Sequence, residues 1–143
     1  MNSGLRIEVI YSDPDLVELA LTAGNGEFAA RTELYESHTA CSELAAALDA
    51  FPADAKDRRT HQFGTFKPGT GGGGARFELK QRDPHGHWLM MVHMRAGDPG
   101  DHGDEATLSL SVEPAGVDLF IAAMRLVSTD VGSSAQLESV AAG

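Results

Sequence analysis

Cysteine is almost absent from this chain of 143 residues, with Cys41 the only one. A lone thiol can build neither an internal disulfide nor a multi-cysteine metal site, so the fold has to stand on packing. Basic residues are also scarce, 11 against 21 acids, for a net charge of −10. Affinity for nucleic acid comes mainly from neutralising phosphates, and so acidic a chain repels them over most of its surface. No apolar run approaches the roughly 20 residues that span a bilayer, and "MNSGLRIEVIYSD" lacks a basic stretch leading into an apolar one. No membrane partner and a cytoplasmic location are therefore expected. Catalytic signatures are missing too, since no G-x-S-x-G elbow, H-E-x-x-H helix or dinucleotide fingerprint occurs. The glycine run from Gly71 to Gly74 is followed by Ala75 and Arg76, where a phosphate-binding loop needs lysine and a hydroxyl residue. These absences count against an enzyme without excluding one, and no cofactor is expected.

What is present fits a globular domain, with 42% hydrophobic and 22% charged residues in a length near the common domain size of about 100–150. The charge is uneven. Residues 1–54 carry −8, residues 55–95 carry +5 and the remainder −7. Such a field suits basic protein partners, although acidity alone also keeps a domain soluble.

Two periods alternate along the chain. "LRIEVIY", "LVELALT" and "EFAARTELY" alternate apolar and polar residues as half-buried strands do, separated by the turn signals "SDPD" and "AGNG". "SHTACSELAAALDAFP" then spaces Leu44, Leu48 and Phe51 on one helical face, with Thr39 or Ser42 placed to cap it and Pro52 to end it. After a stretch with little periodicity, expected to be a loop or ragged edge strand running into a flexible glycine-rich connector near 67–75, alternation returns. "ARFELKQR", "HWLMMVHMR" and "ATLSLSVEP" predict three more strands, the second burying Trp88, Met90, Val92 and Met94. Val117, Phe120, Ile121, Met124 and Val127 form the stripe of a second helix opened by Pro114. The expected fold is α+β, a curved and mainly antiparallel sheet of about six strands in βββα-βββα order. Both helices pack on one face, the domain spans 1–127, and 128–143 form a flexible tail.

Three histidines crowd "QRDPHGHWLMMVHMRAG". His87 and His93 share strand parity but lie six residues apart, about 20 Å at strand rise, too far for one ion. Asp83, His85 and His87 of the turn, extended by Asp101 and His102 of the next loop, remain as a possible ligand set; the alternative is a plain hairpin turn. His38 and Cys41 stand three apart as a conceivable base and nucleophile, against a buried small residue beside a capping region. The mixed face of His87, Leu89, Met91, His93 and Arg95 is apolar enough for an adaptable binding surface if the helices cover the Trp88 side. A small second core beneath the glycine loop would explain it equally.

The order of "GEFAARTELYES", "LAAALDAFP", "RDPHGH" and "LSLSVEPAGVDLFIAAMRLV" resembles the immunity proteins of WapA-type bacterial cell-wall toxins and related small domains. The matches are Glu33 and Tyr35, Phe51 and Pro52, Asp83, Gly86 and His87, and Leu119 with Phe120; the glycine run and the final segment fall outside the pattern. The resemblance implies a non-enzymatic cytosolic protein that occludes a toxin and brings no catalytic residues to carry over. A basic toxin would meet outward-facing Glu8, Glu18, Glu27 and Glu33. Two alternatives stand beside it: a metal- or small-molecule-binding protein using the His85, His87 and His93 region, and a domain that self-associates as a homodimer through a sheet edge.

Overall fold

Alternation places most of its apolar residues inward, as expected, with Tyr11 and Phe28 exposed. In the computed structural model, which describes residues 3–97 and 102–140, Leu5, Ile7 and Val9 bury one face of β1 (Gly4–Ser12). Leu19 and Leu21 do so on β2 (Val17–Gly24), and Thr32 and Leu34 on β3 (Ala29–Glu36). The turns are built by their polar residues: Asp13 Oδ1 accepts from the amides of Asp15 and Leu16, and Asn25 Oδ1 from those of Glu27 and Phe28. Helix α1 (Ala40–Leu48) follows, then β4 (Arg58–Gly64), β5 (Gly74–Gln81), β6 (Trp88–Arg95), β7 (Glu105–Val112), α2 (Pro114–Leu126) and β8 (Ser134–Glu138).

The α+β class holds, but the single six-stranded sheet does not. Two antiparallel sheets of four strands form instead, in the orders β3-β2-β1-β8 and β4-β5-β6-β7. The expected βββα-βββα order misses two strands. β4 takes the place of the loop or ragged strand expected there. β8 lies inside the expected tail and pairs with β1, Leu137 opposite Leu5 and Ala135 opposite Ile7.

The inward residues of both sheets share one core with Leu44, Ala45 and Leu48 of α1 and Val117, Phe120, Ile121 and Met124 of α2. α1 leans on α2 and β4, and α2 on β8. Thr39 and Ser42 do not cap α1 through their side chains; Ser42 Oγ donates to the Thr39 carbonyl instead. No helix among the described residues is long and apolar enough to cross a membrane.

The glycine run is not a free connector. The Gly73 amide donates to the Glu33 carbonyl at 2.8 Å, and its own carbonyl accepts from the Thr65 amide at 3.0 Å. Thr32 Oγ1 reaches the Arg95 carbonyl at 2.8 Å across the same seam. β3, at the edge of one sheet, is thereby held against the other.

Carboxylates beside turns, Asp13 and Asp57 among them, set an acid limit on this fold. The amides of Asp15 and Leu16 and the Tyr11 hydroxyl hold Asp13 below its ordinary value of 3.8. The Arg59 guanidinium and the Ala53 amide do the same for Asp57. Folded, both bind protons more weakly than when unfolded, so their stabilisation is present above about pH 4 and is lost as pH falls through the lowered values. The melting temperature should be level from pH 7 to 5 and drop below about pH 4, with a shallower drop in Asp57→Asn; an equal drop would exclude Asp57 as a contributor.

Candidate functional site

The outward face of the first sheet collects most of the acids singled out from the sequence. Strand register puts Glu8, Ala20 and Glu33 in one row across β1, β2 and β3. The next row is Tyr11, Glu18 and Tyr35. On the other side of the Glu8 row stand Arg6, Thr22, Arg31 and Gln136. Directly opposite residues on neighbouring strands have Cβ atoms about 4.5–5.5 Å apart, so Glu18 is in reach of both tyrosines.

These carboxylates differ in their partners. Glu8 pairs with Arg6 at 3.1 Å, and Glu33 with Arg31, each two residues along its own strand. Such exposed pairs contribute about 0–1 kcal/mol and exchange readily for an external partner. Glu18 has no ion-pair partner among the described residues. Tyr11 and Tyr35 on either side are each 47% exposed, and Tyr11 donates to Asp13 Oδ2 at 2.9 Å. That hydrogen bond, with the Asp13 charge behind it, raises the Tyr11 hydroxyl above its usual range, so Tyr11 presents a neutral phenol. Tyrosine is enriched at protein interfaces, and here two half-exposed rings stand on either side of a carboxylate. Glu27 is not part of this row. It lies in the turn at the far end of β2 and β3, about 20 Å along the strands from Glu18.

In the sequence Tyr11 shares the parity of Ile7 and Val9, whose side chains are buried. A bulge at Ile10 shifts the register, so that Val9 faces Leu19 while Tyr11 faces Glu18, and the ring turns outward. The missed signal is the "SDPD" turn directly after Tyr11, which ends the strand where such irregularities concentrate.

The mixed face read from β6 divides three ways. Leu89, Met91 and His93 do face outward from the second sheet, each half-buried. His87 precedes the strand and belongs to the turn, exposed, with its Nδ1 2.7 Å from Asp83 Oδ2. Arg95 corrects the parity reading: it is only 3% exposed, at the end of β6 where the glycine run packs, and so offers no semi-exposed surface.

The turn is closed by its own hydrogen bonds. Asp83 Oδ1 accepts from the His85 amide at 2.8 Å while Oδ2 holds His87. Burial pushes Asp83 up, but these hydrogen bonds outweigh it and keep the carboxyl below its usual range. Among the described residues no group of three histidine, cysteine or acidic side chains converges as a metal would require, so Asp83, His85 and His87 do not form the considered ligand set. Asp101 lies outside the described residues. Cys41 and His38 do not form a nucleophile and base either. Burial, helped by the Glu36 charge, pushes the Cys41 thiol up to about 11, and His38 Nε2 contacts the Asp13 carbonyl at 2.7 Å. A thiol so held stays protonated at neutral pH.

The chain matches no model of a known protein family, no curated protein and no solved structure.

Proposed function

We propose that this chain is a non-enzymatic binding protein whose β1–β3 face docks a basic protein partner, in the manner of a cytosolic immunity protein that occludes a toxin. The observation that carries this reading is the row Tyr11, Glu18, Tyr35 with Glu8 and Glu33 beside it. It joins two amphipathic rings to three carboxylates, one of them, Glu18, without a counter-charge among the described residues. The net charge of −10 adds long-range attraction for a basic partner, which speeds encounter more than it deepens affinity. The resemblance of the chain's short motifs to those of WapA-type immunity proteins agrees with this reading.

The test is stopped-flow association with a panel of basic WapA-type toxin domains. Glu8→Lys, Glu18→Lys and Glu33→Lys combined should slow association by about 10–1000-fold at low salt and flatten its salt dependence, with circular dichroism unchanged because all three side chains face solvent. Tyr35→Ala should act mainly on dissociation. Unchanged association by the triple variant, in a domain that the parent binds, would remove this face from the proposal. Failure of the parent to bind any member would count against the toxin as partner.

A further inference from the structure

The second sheet carries a depression that the acidic face does not explain. On its outward side Gln62, Arg76, His93 and Thr107 form one row, and Thr60, Glu78, Met91 and Ser109 the next. Between the rows lies a space of about 610 Å³, within the range of small-molecule sites.

Arg76 is its cation, and it is held in place. Its Nε donates to Gln62 Oε1 at 3.0 Å, and its guanidinium lies over the Phe66 ring, 3.9 Å from the centroid. Phe66 in turn contacts the His93 ring at 5.3 Å. These contacts fix the guanidinium and leave both Nη groups without a hydrogen-bond partner among the described residues, a fork that matches a carboxylate. Two other polar side chains of the rows, His93 and Glu78, are already engaged. His93 bridges Glu105 and Thr107 through its two ring nitrogens. Glu78 sits between Arg58 at 3.9 Å and Lys80 at 3.7 Å. Met91, half-buried, supplies an adaptable apolar floor.

We propose that this depression binds a small monocarboxylate with an apolar body, its carboxylate on the Arg76 Nη pair and its chain over Met91. A single negative charge is favoured because Glu78 lines the site and Glu105 lies behind His93, so a phosphate dianion would meet more like charge than a monoanion does. A free small molecule is favoured over an acidic protein because the chain's net charge of −10 repels the latter as a whole. The site is independent of the β1–β3 face, so either proposal can fail alone.

The experiment uses the full chain labelled with ¹³C at its methionine methyls, the Met91 resonance being assigned by its loss in Met91→Leu. Sodium hexanoate should shift Met91 saturably, leaving buried Met90 and Met94 nearly still. Hexan-1-ol, equal in length but uncharged, should bind at least tenfold more weakly, and Arg76→Gln should weaken hexanoate at least tenfold while keeping the parent's Met90 and Met94 shifts. The triple lysine variant should leave the titration unchanged. A Met91 resonance unmoved by hexanoate would overturn the proposal. So would equal shifts from hexan-1-ol, from inorganic phosphate, or in Arg76→Gln.

Discussion

Replacing Leu137 with alanine should lower stability by about 2–5 kcal/mol, the usual cost of emptying a closed core position. Leu137 is fully buried, faces Leu5 across the β1–β8 ladder, and lies where α2 rests on β8. Little around it can collapse into the space, because the partner residues belong to a sheet on one side and a helix on the other. Ending the chain after Ser128 should do more, removing a whole strand and exposing the β1 edge. Urea denaturation would read both, as a lower midpoint for Leu137→Ala and as the loss of a cooperative transition for the shortened chain. A change under about 0.5 kcal/mol for Leu137→Ala, the size of an ordinary surface substitution, would mean that β8 is not docked in solution.

Gly73→Ala should be nearly as damaging, although it adds a single methyl. A Cβ there would stand 2.2 Å from Thr32 Oγ1 and 2.3 Å from the Arg95 carbonyl oxygen, the two atoms that hydrogen-bond each other across the seam. Overpacking costs about 1–3 kcal/mol, and a buried pair driven apart adds about 1–3 kcal/mol more. Gly116→Ala supplies the opposite sign. It lies in α2, its nearest contact would be 3.7 Å away, and helical glycine is worse than alanine by about 0.5–1 kcal/mol. A melting temperature that falls for the first variant and rises for the second would establish that the glycine run is a close contact and not a spacer. Equal effects would refute that.

Much of this was legible in the residues, and the failures have identifiable causes. Parity along "HWLMMVHMR" correctly buried Trp88, Met90, Val92 and Met94, because successive side chains of a strand point to opposite faces and only one face of this sheet meets the core. It failed at Arg95, which is buried at the end of β6 where a glycine run more than 20 residues earlier meets its carbonyl, a contact that parity cannot see. β4 was obscured by Arg59, a charge on the inward parity. It is tolerated there because Asp57 and the carbonyls of Ala47 and Asp49 at the end of α1 take up its guanidinium. β8 offered only Ala135 and Leu137 as apolar residues, too few to establish a period. The split into two sheets was invisible for a broader reason, since alternation tells which way a side chain faces and not which strand lies beside it. The acidic face shows the same division. That Glu8, Glu18 and Glu33 point outward was readable, whereas their meeting in adjacent rows beside two tyrosines depends on pairing register and on one bulged residue.

The pairing of Gly4 with Glu138 bears on how the molecule can be tethered. The first and last strands begin and finish side by side, about 5 Å apart, at the end of the sheet remote from the Tyr11, Glu18 and Tyr35 row. A short bridge between them would yield a circular permutant, opened at the exposed Gly86 turn with every strand ladder intact. An anchor attached beside Gly4 or Glu138 would sit about 20 Å along the strands from Glu18, so a tethered copy would still present its acidic row to the solution.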